Sequence, residues 1–104
     1  MKTIAAISTP AGIGGIGIIR ISGDKSLEIL KKVFKPINNN EYKSYNMKFG
    51  YIIDDKQNVL DQVLVSYFKA PKTYTGEDVC EINCHGGNIS TKQVLELVLQ
   101  NGAS

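Results

Sequence analysis

Two short apolar runs near the start of the chain predict two strands. The first covers Thr3 to Thr9 and is closed by Pro10, and the second covers Gly17 to Ile21 and is closed by Ser22-Gly23. Neither run alternates regularly with polar residues, which is typical of strands buried on both faces. Both are therefore predicted to be interior strands of a sheet.

Helical spacing of apolar residues occurs twice. The first helix is predicted to begin after Asp24, a good N-cap, and to end before Pro36. The second follows Gly86-Gly87, with Asn88 or Ser90 as its cap and Gly102 as its stop. The apolar stripes of the two helices are Leu27, Leu30, Val33 and Phe34, and Thr91, Val94, Leu95 and Val98.

Three further strands are predicted between the helices. Apolar residues at every second position (Tyr45, Met47, Phe49, Tyr51) alternate with Asn46, Lys48 and Gly50, the signal of a strand with one face in water. The polar stretch Asp54 to Asn58 turns this strand back into its hairpin partner, Leu60 to Phe68. The loop Ala70 to Gly76 leads into the last strand, Val79 to Cys84.

The resulting order, β-β-α-β-β-β-α, predicts an α+β fold with a mixed or antiparallel sheet and two helices on one of its faces. With 104 residues and 42% hydrophobic content, the chain is expected to form a single domain, 1–104. A domain of this size buries only roughly 60–70% of its unfolded surface, so oligomerisation would add to a thin core. Because the chain stops two residues after Gly102, we expect it to belong to a longer protein.

Charge and hydropathy argue against two classes of partner. Twelve basic and ten acidic residues leave a net charge of +2, which gives no electrostatic case for direct nucleic-acid binding. Residues 3–19 carry no charge, but this stretch is rich in glycine and shorter than the roughly 20 residues of a membrane span. No membrane association is expected.

Cys80, Cys84 and His85 are too few for a disulfide framework or a closed four-ligand zinc site. No metal site is predicted, and a reducing, cytoplasmic setting fits best. Alternation along the strand places Cys80, Ile82 and Cys84 on one face, so the cysteines are expected to pack in the core.

The run Gly12-Ile13-Gly14-Gly15-Ile16-Gly17 has the spacing of a dinucleotide-binding fingerprint. That fingerprint requires a helix directly after the glycines, whereas a β-branched stretch follows here. We therefore interpret the run as a connection in which small residues allow a close approach of backbone or ligand.

Polar residues on two strands form the candidate site. Arg20 is the only charge between Lys2 and Asp24, so it must reach water, an internal partner or an anionic ligand. The other face of the last strand carries Glu81, Asn83 and His85, followed by Gly86, Gly87 and a helix N-terminus. This pattern would gather a carboxylate, an amide, an imidazole and free backbone N–H groups, or it would form an ordinary exposed strand face.

Two long motifs carry a family resemblance. STPAGIGGIGIIRISG, which ends at Gly23, and YTGEDVCEINCHGG, from Tyr74 to Gly87, lie in the order and spacing of one family, with Leu60-Asp61 between them. The chain, from about Thr3 onwards, closely resembles the N-terminal domain of the tRNA-modification GTPases of the MnmE (TrmE) family. Cys80 stands where that family usually has an aliphatic residue, which supports a core position.

The resemblance implies a folate-binding domain similar to that of the aminomethyltransferases, and a constitutive homodimer. It implies 5-formyltetrahydrofolate as the ligand, with the family's folate-contacting Arg and Glu at Arg20 and Glu81. Asn83, His85, Gly86 and Gly87 would then lie close to the ligand. A carboxylate suits a pterin because its two oxygens can accept from the ring N3–H and the 2-amino group. A further folate-contacting Lys of the family lies beyond Ser104.

The whole family protein also contains a GTPase domain that uses GTP, potassium and magnesium. With the flavoprotein MnmG (GidA), it modifies C5 of the wobble uridine in tRNA. No GxxxxGK[ST] motif occurs in these 104 residues, so this segment is expected to be non-catalytic. Two alternatives stay open: a free-standing folate-dependent one-carbon transferase in which Glu81 or His85 handles a proton, and a dimerisation element that binds no ligand.

Overall fold

The structure, a computed structural model, describes residues 2–12, 15–71 and 76–104. Within these ranges it has six strands and two helices. In chain order they are β1 (Ile4–Thr9), β2 (Gly17–Ser22), α1 (Ser26–Val33), β3 (Phe34–Pro36), β4 (Asn46–Ile53), β5 (Val59–Phe68), β6 (Val79–Cys84) and α2 (Gly87–Gln100).

These six strands form one sheet in the order β1-β2-β6-β5-β4-β3, and every neighbouring pair is antiparallel. Both helices pack on one face of this sheet, and the core lies between them and the strands. We call the other face the open face. The α+β prediction is confirmed, and the sheet is antiparallel rather than mixed.

The prediction that the first run is an interior strand is wrong. β1 is an edge strand that pairs with β2, and Ile4 is 55% exposed on the open face. The chain end lies along its other edge: the Ser104 N–H donates to the Thr3 carbonyl at 2.9 Å, and the Ala5 N–H donates to the Ser104 carbonyl at 3.1 Å. An apolar run without alternation does not distinguish a central strand from an edge strand whose outer backbone groups find other partners.

Helix α1 begins later and ends earlier than predicted. Asp24 is not its cap, because the N-cap is Lys25, whose N–H donates to Thr3 Oγ1 at 3.1 Å. After Val33 the chain becomes extended, and Phe34–Pro36 pairs with β4 as a strand that the helical spacing concealed. Phe34 is buried in this strand, as the predicted helix also required, so its apolar character does not distinguish the strand from the helix.

The two faces of β4 are reversed relative to the alternation. Met47 and Phe49 are 55% and 42% exposed on the open face, whereas Gly50 and Ile52 face the core. Gly50 lies opposite Pro36 and Val63 in the sheet. Register with β3 and β5 therefore decides which set of side chains meets the helices, and it leaves an apolar stripe in water.

The predicted turn between β4 and β5 is confirmed. Asp54 Oδ1 accepts the N–H groups of Lys56 and Asn58 at 2.9 and 2.8 Å, and Gln57 adopts a left-handed conformation with φ of 67°. The hydrogen bond from the Asn58 backbone lowers the pKa of Asp54. An Asx-type turn of this kind suits the short polar segment.

Helix α2 lies directly on β2. A side chain at Gly17 would collide with Thr91, so the glycine permits this close approach. Thr91, Val94 and Val98 of the predicted apolar stripe are buried, and the helix ends at Gln100 with Gly102 at φ of 125°. The second helix and its stop are confirmed.

Candidate functional site

Arg20 and Glu81 meet at the centre of the open face. β2 and β6 are neighbours in a register that places these two residues directly opposite each other. The guanidinium donates twice to one carboxylate oxygen, from Nε at 3.0 Å and from a terminal nitrogen at 2.7 Å to Glu81 Oε2. The side chains are 38% and 23% exposed, so the pair is partly screened by water.

This ion pair identifies an internal partner for Arg20, the isolated charge of β2. The sequence left water, an internal partner or an anionic ligand open, and the structure contains the internal partner, Glu81. Both hydrogen bonds from the guanidinium to Glu81 end on Oε2, so among residues 2–12, 15–71 and 76–104 no hydrogen bond of the structure involves Glu81 Oε1. Within this part of the chain, one carboxylate oxygen is therefore available as an acceptor in the middle of the sheet.

Asn83 and His85 continue the same row of β6 away from Glu81. The Asn83 amide donates to the Leu64 carbonyl at 3.1 Å, which ties its side chain to β5. His85 Nδ1 lies 3.0 Å from the Gln62 carbonyl oxygen. Because a carbonyl only accepts, Nδ1 carries a proton in this arrangement, and the exposed ring presents Nε2 to the open side.

Asp61, at the start of β5, is a site residue that the sequence patterns did not single out. Its buried carboxylate accepts the backbone N–H groups of His85 and Gly86 through Oδ2, at 2.8 and 3.0 Å. Asp61 thereby holds the β6–α2 turn from a neighbouring strand, and the predicted caps Asn88 and Ser90 lie inside the helix, whose N-cap is Gly86. The sequence offered one signal for this role, since Asp61 is the one charged residue in β5.

The glycine turn after β6 is accordingly not a set of free donors. The N–H groups of His85 and Gly86 already bond to Asp61, so the expectation of free backbone groups there is wrong for these two positions. Gly87 has φ of 87°, a conformation that favours glycine, and space is open beside its Cα. Asp61 therefore holds the turn by two hydrogen bonds, and a ligand could still approach it at Gly87.

The glycine-rich run behaves as interpreted from the sequence at the positions that the structure describes. Ile13 and Gly14 lie outside the described residues. So do positions 72–75, which belong to the predicted loop before β6 and to the start of the second motif. The Gly15 N–H donates to the Gly12 carbonyl at 3.0 Å, and Gly17 then begins β2. A strand rather than a helix follows the glycines, which excludes the dinucleotide-binding geometry.

The cysteines are core residues. Cys80 and Cys84 are both fully buried on the helix-covered face together with Ile82, as predicted. Burial raises the pKa of each thiol to about 12, so neither is a nucleophile at neutral pH. Across the described ranges, no group of three or more His, Cys, Asp or Glu side chains is arranged to hold a metal ion.

None of the helices in the described part of the chain has the length and apolar character needed to cross a membrane.

The geometry defines a small antiparallel α+β domain with a charged pair at the centre of an uncovered sheet face. Residues 3–104 match the family described as GTP-binding protein TrmE N-terminus. The match covers nearly the whole chain, and the chain therefore belongs to this family.

Relatives from several bacteria point the same way. The chain is 55% identical over 105 residues to the tRNA modification GTPase MnmE of Alkaliphilus oremlandii, which covers 97% of this chain and 23% of the relative. It is 55% identical over 104 residues to the MnmE of Desulfotalea psychrophila, covering 99% of this chain and 22% of the relative. For the MnmE of Clostridioides difficile the identity is 52% over 100 residues, with 93% and 22% covered. The chain thus spans under a quarter of the length of these relatives.

Proposed function

We propose that this chain is a folate-binding and homodimerisation module of a tRNA-modification GTPase. The single observation that carries the proposal is the Arg20–Glu81 pair at the centre of an open sheet face, whose hydrogen bonds occupy only one of the two carboxylate oxygens. A half-buried charged pair on an uncovered sheet face is a recognition element for a flat, polar ligand more readily than a device for stability, since partly exposed pairs stabilise by only about 0–1 kcal/mol.

The ligand is a tetrahydrofolate derivative, 5-formyltetrahydrofolate in the first instance. Glu81 Oε1 accepts from the pterin's N3–H or 2-amino group, while Oε2 stays with Arg20. The guanidinium is 38% exposed and lies where the anionic tail or a formyl oxygen can approach it. Asn83, His85 and Gly87 follow Glu81 along the chain toward the β6–α2 turn, and they border the ligand at that end of the site.

A second copy of the chain covers the rest of the open face. Met47 and Phe49 on β4 and Ile4 on β1 are each more than 40% exposed, and Leu64 and Ile18 lie half-buried between them. Several exposed apolar residues on one sheet face are typical of an interface rather than of a solvated surface. Pairing two such faces by a two-fold axis encloses the ion pair, and this would strengthen its electrostatic contacts with a ligand.

The whole protein's activity is part of the same proposal. The names of the relatives, tRNA modification GTPases, support a role in which this module works beside a GTPase domain. We further propose that this domain uses GTP, potassium and magnesium and that the protein works in the cytoplasm. With a flavoprotein partner, MnmG, that assembly modifies C5 of the wobble uridine in tRNA. The folate bound here would supply the one-carbon unit.

Calorimetry with 5-formyltetrahydrofolate on the intact protein tests the folate site. Glu81→Gln replaces an acceptor oxygen by a donor amide that opposes the pterin's own donors, and should weaken binding by about 1.5–3 kcal/mol. Arg20→Ala should weaken it comparably, and by less at high salt, because salt screens the attraction between a guanidinium and an anionic tail. Glu96→Gln, which makes the same chemical change on the exposed side of α2, should bind like wild type.

Wild-type affinity in both site variants would refute the folate assignment and leave a dimerisation element without a ligand. Equal weakening in Glu96→Gln would show an effect of net charge rather than of the site. Retention of the dimer in all three variants is expected, because none of these residues contributes apolar area to the open face.

A further inference from the structure

The net charge of +2 conceals a strong separation of charge along the chain. Residues 31–48 contain five lysines and one acid, a formal charge of +4, so the rest of the chain carries −2. The lysines are Lys31, Lys32, Lys35, Lys43 and Lys48. The total charge gave no case for nucleic-acid binding, but that total does not describe this segment.

The fold gathers this segment at one end of the sheet. It comprises the last turns of α1, the edge strand β3, the connection to β4 and the first residues of β4. We call Lys31, Lys43 and Lys48 with Tyr42 the basic edge, because Lys32 Nζ instead donates to the Asn101 carbonyl after α2 and Lys35 pairs with Tyr51 on the open face. Lys31 Nζ lies 5.1 Å and Lys48 Nζ 4.7 Å from the centre of the Tyr42 ring, so one aromatic side chain holds ammonium groups from a helix and a strand close together.

A cavity of about 150 Å³ opens beside the same ring. Its polar lining includes three asparagines and two lysines against one acid: Asn38, Asn40, Asn46, Lys43, Lys48 and Glu41, with Tyr42 beside them. This volume is well below the roughly 300–1,000 Å³ of pockets that enclose a whole small molecule. It suits one group of a larger ligand that lies along the surface, and its amide and ammonium donors favour an anionic group.

We propose that the basic edge binds the phosphate backbone of an RNA strand. This inference rests on the proposed function, in which tRNA is the substrate of the whole assembly. Ammonium groups with neighbouring amides are the usual contacts to phosphate and sugar, and aromatic rings among them are typical of RNA surfaces. An acidic protein segment could also pair with the lysines, but its binding would not explain the asparagine-lined cavity beside them. We therefore favour RNA.

Unfractionated tRNA is the probe, and binding is measured by its retardation and by titration across a range of salt concentrations. Lys31→Glu combined with Lys48→Glu should weaken tRNA binding by about tenfold at 0.1 M salt for each of the two lysines that touches a phosphate. The slope of log affinity against log salt should fall by about one for each such lysine. Lys25→Glu combined with Lys92→Glu gives the same change in net charge on exposed residues outside the basic edge.

The control pair should retain most of the affinity and the wild-type slope. Equal weakening in both pairs would overturn the proposal, because only net charge would then matter, and so would a wild-type protein that does not retain tRNA. Binding of polyglutamate with the same lysine dependence, but not of tRNA, would assign the edge to an acidic protein instead.

Lys31→Gln with Lys48→Gln keeps much of the alkyl stems on Tyr42 and should show the same direction of change if folding is intact. Folate binding and dimerisation are measured on every variant, so a failure of RNA binding is separable from a failure of the proposed function.

Discussion

At the scale of the residue, position relative to the sheet decides what each polar or reactive side chain can do. Glu81 and Cys80 are adjacent in sequence, yet Glu81 faces the open side with Arg20 while Cys80 is fully buried against the helices. Strand geometry alone produces this division, since successive side chains point to opposite faces. The charged side chains of the proposed ligand site are thus one residue away from the buried core.

The two cysteines give a test of this division. With thiol pKa values of about 12, Cys80 and Cys84 should react with a thiol reagent at pH 8 only through opening of the domain. Labelling should therefore be slow in the native state and rapid in denaturant. Rapid native labelling of Cys80 would show that the faces of β6 are reversed. Replacing both cysteines by alanine should reduce stability through the smaller side-chain volume in the core but leave folate binding intact.

At the scale of the element, the start of α2 depends on a residue from another strand. Asp61 accepts two N–H groups at the β6–α2 turn, which a local cap from Asn88 or Ser90 does not supply. The same carboxylate holds the turn from which His85 and Gly87 border the candidate site. These two hydrogen bonds therefore link the entry into α2 to the shape of the site.

Asp61→Ala should destabilise the domain by about 1–3 kcal/mol, because it leaves the part-buried N–H groups of His85 and Gly86 without their acceptor. Urea unfolding followed by circular dichroism measures this change. Asp55→Ala, at an exposed position in the β4–β5 turn, is the matched control and should change stability by less than about 0.5 kcal/mol. An unfolding midpoint for Asp61→Ala equal to that of wild type would contradict the role of Asp61 in holding this turn.

At the scale of the whole molecule, the described helices cover only one face of the sheet. The helices and the core occupy one side, and the other side presents Met47, Phe49 and Ile4 to solvent. A domain of 104 residues has little other apolar surface to bury. Association through the open face would therefore add substantially to its stability.

Met47→Glu combined with Phe49→Glu should convert the proposed dimer to monomer, because two charges would be buried without partners at the interface. Sedimentation at micromolar concentration measures the change. Ile89→Glu places one such charge on an apolar residue that is 76% exposed on α2, away from the open face, and should leave the dimer intact. A wild-type protein that sediments only as a monomer would refute the dimer itself.

Local periodicity determined much of this protein. The spacing of apolar residues predicted all but one of the described strands, both helices and the core face of β6, because each of these depends on residues close in sequence. The two motifs around Arg20 and Glu81 were sufficient to indicate the family that the matching of residues 3–104 then showed.

Tertiary structure alone decided the pairings. Arg20 and Glu81 are 61 positions apart, and only the β2–β6 register makes them partners. Strand order likewise made β1 an edge, turned the apolar side of β4 outward and brought Asp61 to the start of α2. Sequence patterns record which residues share a face, but which face is covered and which distant strand lies alongside depend on the packing of the whole chain.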